Sequence, residues 1–509
     1  MARNGRKEGS IVSDAFLQYL SSGVQLTSGL IFYLFIVRLL DTSTVGAVAL
    51  FISITGMFSI VFSFGLGIAA QHFASFSLGM NDFFGLKVLM RTLISYGLIG
   101  SIIGMVVLLG MSPYISLFLL HSLKYVIYIR ELSIVLFGYV IFNILNGTML
   151  GMQHFKISAV INVVTWILYY IACAVAVFYI RSLNTLLMGW IFGIFVGVLL
   201  NLILIISFLT KKLPMEKDPS KSPITAPKIL LYSLPIMFSN MIGSGAAYAD
   251  RFILAALSNL SALGIYNFAL LISSSIGFIG MPFNNILMPK LSEFYGRNDL
   301  VAISKAVNAS SILLSAIYVP AAIGIASLAP YLLLLLGGSV YTSGALPLII
   351  IMVSTAMCIT QNVFIQVIAS IRKTRLFLYS SIISLVSNLT ISILLIPVFG
   401  LPGAAIGFSS VYITSFFILL YFVKKYRVGT LDTKGLVKVW ISAAIMFLVV
   451  RLIEEMIPFR PLFLIIYTLV GIFVYVGSVK LLKPFASENY EYLVSLLPKR
   501  FSFIGKFFH

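Results

Sequence analysis

Fourteen apolar runs, each near the length that spans a bilayer, recur from one end of this 509-residue sequence to the other. They cover residues 14–40, 44–71, 91–110, 133–151, 157–180, 186–209, 229–257, 262–289, 306–328, 344–369, 376–397, 402–423, 436–453 and 461–480. About 20 apolar residues carry a helix across the hydrocarbon layer. Only helices and closed barrels satisfy their backbone polar groups there, and barrel strands are shorter and alternate in polarity. These runs are continuous. The expected fold is therefore all-α, a polytopic membrane protein of about 14 transmembrane helices, one per run.

Charge then sets the topology. Only 10% of residues are charged, against roughly 25% in soluble chains, so no water-facing surface of this size can be covered. The net charge of +19 is scattered between the apolar runs, which reads as topology signals and not as a nucleic-acid surface. Counting Lys and Arg on alternate sides puts 27 with the two termini and 7 opposite. That bias predicts a multi-pass cell-membrane protein with both termini in the cytoplasm. No short apolar core with a small-residue cleavage site follows the basic start, so no removable signal peptide is read. Cys173 and Cys358 sit far apart in apolar runs and read as small core residues. There is no Walker A loop, no metal-ligand spacing and no long outer loop of catalytic carboxylates, so neither an enzyme nor a metal or other cofactor is expected.

The sequence also repeats. Gly79-Met-Asn81-Asp82-Phe83 returns as Gly296-Arg-Asn298-Asp299-Leu300, 217 residues later. Ser43-Thr-Val-Gly46 aligns with Ser261-Ala-Leu-Gly264, and Leu183…Gly189 with Leu401…Gly407, both at 218. The turn Gly151-Met-Gln-His-Phe-Lys156 stands opposite Ser370-Ile-Arg-Lys-Thr-Arg375. Four matches in order, at equivalent helix ends, indicate duplication of a six-helix unit. Six is even, so both copies enter the bilayer from the same side, as in transporters whose two bundles rock about a shared cavity. The expected division is two pseudo-symmetric six-helix bundles, 1–210 and 229–425, joined by a cytoplasmic linker at 211–228. Two extra transmembrane helices at 426–483 and a basic, aromatic cytoplasmic tail at 484–509 follow. The tail reads either as an interfacial helix or as disorder.

An ionisable side chain within a span costs about 2.5–3.5 kcal/mol at mid-depth, so each asks for a reason. Arg38, near the outer end of the first helix, either snorkels to the interface or places a cation at a cavity mouth. Asp250 and Arg251 lie in the outer third of the seventh helix. Asp250 cannot snorkel far and reads as either a cavity-facing group or a structural ion pair. Gln71 and His72 end the second helix, at the interface or as a cytoplasmic phosphate contact. Asn284, Asn285, Gln361, Asn362 and Gln366 offer neutral hydrogen bonds in the second bundle, to neighbouring helices or to a sugar. Glu454 and Glu455 read as a solvated turn. Candidate substrate-binding residues are thus Arg38, His72, Asp250, Arg251, Asn284, Asn285, Gln361 and Gln366.

Phe35-Ile-Val-Arg38-Leu-Leu-Asp-Thr-Ser-Thr-Val-Gly46, followed by Phe64-Gly-Leu-Gly67, resembles the opening signature of polysaccharide flippases. These belong to the multidrug/oligosaccharidyl-lipid/polysaccharide exporter superfamily. Asp250-Arg251-Phe-Ile-Leu254 resembles the family's Asp-Arg in helix seven, and Pro397-Val-Phe-Gly400-Leu-Pro-Gly403-Ala-Ala-Ile-Gly407 its turn before helix twelve. The first copy lacks the family's Tyr after Gly46, whereas the second keeps Gly264-Ile-Tyr266. The resemblance implies flipping of a polyprenyl-diphosphate-linked oligosaccharide from the cytoplasmic to the outer leaflet, for cell-surface glycan assembly. It implies membrane lipids and the glycosyltransferases or polymerase of the pathway as partners, and a lipid-tail groove at the two extra helices. Arg38 and Arg251 are the groups expected to attract the diphosphate. Two other functions stay open: a cation-coupled multidrug exporter, which needs a buried carboxylate such as Asp250, Asp14 or Asp41, and a non-transporting scaffold of a polysaccharide-synthesis complex.

Overall fold

The computed structural model is 91% helical and describes residues 8–80, 82–212, 226–456, 461 and 463–484. The chain divides into two compact units. The N-terminal unit comprises Met1–Tyr248 with Asn259–Gly264, and the C-terminal unit Ala249–Ser258 with Ile265–His509.

The helices run in the order α1 (Glu8–Leu39), α2 (Thr42–Phe62), α3 (Leu66–Gly79), α4 (Phe83–Leu120), α5 (Val126–Gly151), α6 (Phe155–Tyr179) and α7 (Leu183–Lys212). Then come α8 (Ala226–Leu257), α9 (Leu260–Ser274), α10 (Met281–Gly296), α11 (Leu300–Ser327), α12 (Ala329–Gly337), α13 (Ala345–Met357) and α14 (Gln361–Ser370). The last four are α15 (Arg375–Phe399), α16 (Leu401–Lys425), α17 (Thr433–Met456) and α18 (Phe463–Leu482). Among the described residues, fourteen stretches are long and apolar enough to cross a membrane. Large apolar side chains such as Ile102, Phe178, Phe417 and Phe473 stand exposed, the expected surface of a protein whose solvent there is lipid.

Three of the apolar runs are not single helices. Run 44–71 breaks between α2 and α3, where Phe64 and Gly65 take φ of 50° and 69°. Run 262–289 passes from α9 through a 3-10 segment, Ser275–Gly280, into α10. Run 344–369 breaks between α13 and α14 at Cys358–Thr360. Hydropathy is blind to these breaks, because the residues at them are as apolar or small as their neighbours.

Small residues bring the helices close, as van der Waals packing in lipid requires. Gly189, Gly193 and Gly197 on α7 face α6, where an added Cβ would meet Cys173 N at 2.8 Å, Tyr169 Cα at 2.5 Å and the methyl of Thr165. Both sets are four residues apart, so two helical faces lie one along the other.

The repeat is visible in the caps. Asp82 begins α4 with φ −88° and ψ 80°, and its Oδ1 accepts from Gly85 N–H at 2.7 Å. Asp299 begins α11 with φ −92° and ψ 79°, accepting from Ala302 N–H at 2.8 Å. Gln153 and Arg372, in the matched turns after α5 and α14, share φ of 60° and 59°. Asp41 caps α2, with its carboxylate accepting from Thr44 N–H at 3.0 Å, Thr44 Oγ1 at 2.6 Å and the Ser43 hydroxyl.

Asp41 therefore serves a helix end and not a buried coupling site. Partial burial pushes its carboxyl up, but the hydrogen bonds from Ser43 and Thr44 outweigh this and hold it below its ordinary 3.8. A depressed carboxyl stabilises the fold above its unfolded value and loses that contribution as pH falls through the folded value. Asp41→Ala is expected to cost about 1 kcal/mol at neutral pH. The gap in thermal midpoint between the two proteins should close as pH is lowered below about 4. A gap independent of pH would remove the cap's electrostatic part.

Candidate functional site

The C-terminal unit holds a pocket of about 410 Å³ whose walls are the irregular segments just described. Ser273 and Ser274 close α9, Gly277 lies in the 3-10 segment, and Cys358 and Ile359 form the α13–α14 break. Gln361, Asn362, Tyr318, Thr355 and Tyr412 add amide and hydroxyl groups, and Arg251 on α8 is the one charged residue of the lining among the described residues. Irregular backbone inside an apolar run survives only where it is packed in protein or faces a polar cavity. Discontinuous helices mark binding sites in transporters for that reason. The Oε1 atom of Gln361 is buried without a hydrogen-bond partner among the described residues, an acceptor available to a ligand.

Asp250 belongs to a different environment from its neighbour. It is fully buried and does not line the pocket. Its Oδ2 accepts from the Tyr266 hydroxyl at 2.6 Å, and its Oδ1 faces Asn388 Nδ2 at 3.4 Å. Asn388 Oδ1 in turn accepts from Ser392 Oγ at 2.8 Å. The Tyr266 oxygen also lies 3.2 Å from the carbonyl of Ala404. A hydroxyl has one proton to donate, so it cannot serve the carboxylate and the carbonyl together. A protonated Asp250 would donate to the Tyr266 oxygen and free that hydroxyl for Ala404. The cluster joins α8, α9, α15 and α16.

The N-terminal unit has a pocket of its own, also about 410 Å³. Ser59, Ser63 and Gly65 at the α2–α3 break line it, with Tyr139 and Asn143 on α5 and Asn240 and Tyr248 on α8. A third space, an apolar groove of about 400 Å³, runs along α11 between it and α17 and α18. Ile317, Pro320 and Gly324 face Met446, Val450, Gly471 and Ile472 across it. The Tyr475 hydroxyl ties α18 to α11 by donating to Ala316 O at 2.7 Å.

The residues picked from sequence are thus scattered. Arg251 and Gln361 share one pocket. Arg38 is exposed in the last turn of α1, and Gln366 is half-buried away from every pocket just described. His72 is exposed on α3 and stacks on Tyr232 at 4.7 Å. The side chains of Asn284, Asn285 and Asp14 lie outside the described residues. Gln71, named from sequence beside His72, lines the N-terminal pocket, but sequence reasoning passed over Asn388, the contact of Tyr266 with Asp250 and the other polar residues of that pocket. The signal was present: Tyr266 closes Gly264-Ile-Tyr266, and Asn143, Asn240 and Asn388 are amides inside apolar runs.

A family model described as polysaccharide biosynthesis protein matches residues 11–295. No match is found among curated proteins. Among solved structures, a lipid II flippase, MurJ, in an inward closed conformation superposes with a TM-score of 0.72 at 14% identity, covering 92% of this chain and 98% of that one. An inward-facing multidrug resistance MATE family transporter of the MOP superfamily gives 0.63 at 15%, covering 79% and 94%. A MOP superfamily transporter from Pyrococcus furiosus gives 0.57 at 15%, covering 82% and 95%. At these identities the likeness concerns the fold.

Proposed function

The chain belongs to the polysaccharide biosynthesis protein family, and from that premise we propose that it carries a polyprenyl-diphosphate-linked oligosaccharide from the cytoplasmic to the outer leaflet by alternating access. One observation supports this above the others. Helix α11 has the Arg251 pocket on one side, through Tyr318, and the apolar groove on the next, through Ile317 and Pro320. Consecutive helical residues point about 100° apart, so one helix offers a polar, cationic space and a lipid-like space side by side. An amphiphile with an anionic head and a hydrocarbon tail has that chemistry. A diphosphate cannot shed water unaided, and a guanidinium replaces its hydration by forked hydrogen bonds. The tail stays in apolar surroundings throughout. With both termini cytoplasmic, a negative-inside potential favours outward movement by ~2.3 kcal/mol per charge per 100 mV.

Reconstituted leaflet transfer tests the proposal. Wild-type protein should move the glycolipid faster than protein-free vesicles, and Arg251→Ala should slow it about tenfold, with Arg251→Lys in between. Unchanged transfer in the alanine variant would remove the diphosphate contact. Gly471→Phe, which fills the groove, is expected to slow long-tailed lipids several-fold more than short-tailed ones.

The Asp250 cluster favours a second reading, a cation-coupled multidrug exporter. A carboxylate buried between four helices, with a hydroxyl that can answer to its protonation, is what coupling needs. Efflux of cationic amphiphiles driven by a pH gradient, without glycolipid transfer, would select it.

A further inference from the structure

The N-terminal pocket has no occupant in the reading above, and its chemistry differs from that of the C-terminal one. The two pockets use the same repeat positions: Gly56 and Ser274, Ser59 and Gly277, and Asn143 and Gln361 are lining residues 218 apart. Their charges have diverged. Arg251 lines the C-terminal pocket, whereas Tyr33, 218 residues before it, is buried off the N-terminal pocket. Among the described residues, no Lys, Arg, His, Asp or Glu lines the N-terminal pocket.

We propose that the N-terminal pocket is a saccharide subsite, seating an uncharged sugar of the transported glycan; this rests on the transport reading given above. Charge decides first. A phosphate or a carboxylate brought here would leave water with no cation to meet it, and an ammonium would find no carboxylate. Either would carry a desolvation cost that neutral amides do not cover. What the lining offers is amides and hydroxyls, at Asn143, Asn240, Ser63 and Tyr248. Amides and hydroxyls both donate and accept, which matches sugar hydroxyls, themselves both donors and acceptors. Tyr139 and Tyr248 add flat apolar faces with a polar tip, against which the C–H face of a pyranose ring packs.

Backbone geometry sets the shape of this pocket. The α2–α3 break places Ser63 and Gly65 on the lining, with Gly65 at φ 69°. Gly65 also fits tightly, since a Cβ there would meet Ser233 O at 2.5 Å. At the break the N–H groups of Ser63, Phe64 and Leu66 are bonded to the carbonyls of Ser59, Val61 and Ser63, so the turn shapes the pocket wall and leaves recognition to the side chains. The volume of about 410 Å³ lies within the roughly 300–1,000 Å³ of small-molecule sites, enough for a short saccharide. Gly56 keeps the space open beside Tyr248, whose hydroxyl would lie 3.1 Å from any added Cβ.

The test compares polyprenyl diphosphate bearing a neutral oligosaccharide with the same lipid bearing no sugar, in proteoliposomes holding the full chain. Asn143→Leu is expected to slow transfer of the glycosylated lipid about tenfold and to leave the bare lipid unchanged. Tyr248→Phe, which keeps the ring and removes only the hydroxyl, should slow it about threefold with the same selectivity. Equal slowing of both lipids, or of neither, overturns the subsite. If wild-type protein moves neither lipid, the transport reading fails and binding decides. Saturation transfer by NMR to a free neutral disaccharide, present with wild type and lost in Asn143→Leu, then supports the subsite. No transfer, or equal transfer to a uronic-acid disaccharide, overturns it.

Discussion

Gly46→Val is expected to lower the thermal midpoint in detergent by at least about 5 °C and to abolish transport. The first turns of α2 and α9 cross so closely that a Cβ on Gly46 would fall on the carbonyl oxygen of Leu260, and one on Gly264 on the carbonyl oxygen of Thr42. Thr42 and Leu260 are themselves 218 apart, as are Gly46 and Gly264, so the repeat makes the same contact twice. The obstacle is backbone, which has no rotamer to move aside. Overpacking against a side chain typically costs about 1–3 kcal/mol; here the helix itself must shift. Gly264→Val should act alike. Gly79→Ala is the control: nothing lies within 4 Å of a Cβ there, and stability should hold. Wild-type midpoint and transport in Gly46→Val would mean that the two helix starts do not meet this way.

Asp250→Ala should be the most damaging change in the C-terminal unit. It removes from a fully buried cluster the carboxylate that accepts from Tyr266 and Asn388; the Tyr266 hydroxyl can turn to Ala404 O, whereas the Asn388 amide loses its contact with Asp250. Stranding a donor beside a deleted charged partner costs about 3 kcal/mol. Asp250→Asn is milder. The introduced amide oxygen still accepts from Tyr266, while its NH2 meets that of Asn388 until Asn388 turns over. After turning, Asn388 donates to Ser392, whose hydroxyl can accept as well as donate. About 1 kcal/mol is expected. The pair separates the roles of the carboxylate. If Asp250 couples transport to a cation, Asp250→Asn folds but no longer responds to a pH gradient. If it only pins four helices, the response to the gradient survives in Asp250→Asn and folding tracks the hydrogen bonds.

Much of the fold was legible because the bilayer imposes one length scale on every span. That is why fourteen runs reappear as fourteen candidate spans, despite edges that differ by several residues. The duplication was legible from short turns, since helix ends need particular residues: the Asp82 and Asp299 caps have nearly the same dihedrals. The helix breaks were not. Phe64-Gly65 and Ser274-Ser275 read equally well as helix in an apolar run, and nothing local distinguishes them. The site was half legible for a related reason. Ionisable residues draw notice because they are costly in lipid, so Arg251 and Asp250 stood out as candidates. Neutral residues such as Tyr139, Asn143, Tyr266 and Asn388 are cheap enough to pass as packing.

Sequence alone determined that this chain lives in a membrane, how many times it can cross, which turns recur at one spacing, and where its rare charges lie. Hydropathy, charge bias and repeat spacing are additive along the chain, so they can be read without coordinates. Tertiary structure decided that Asp250 is sealed by Tyr266 and Asn388 while Arg251, one residue on, faces a pocket. It also decided which runs break to line a cavity. Those outcomes depend on partners up to 138 residues away in sequence, and a side chain's environment is set by what packs against it, which no local pattern contains.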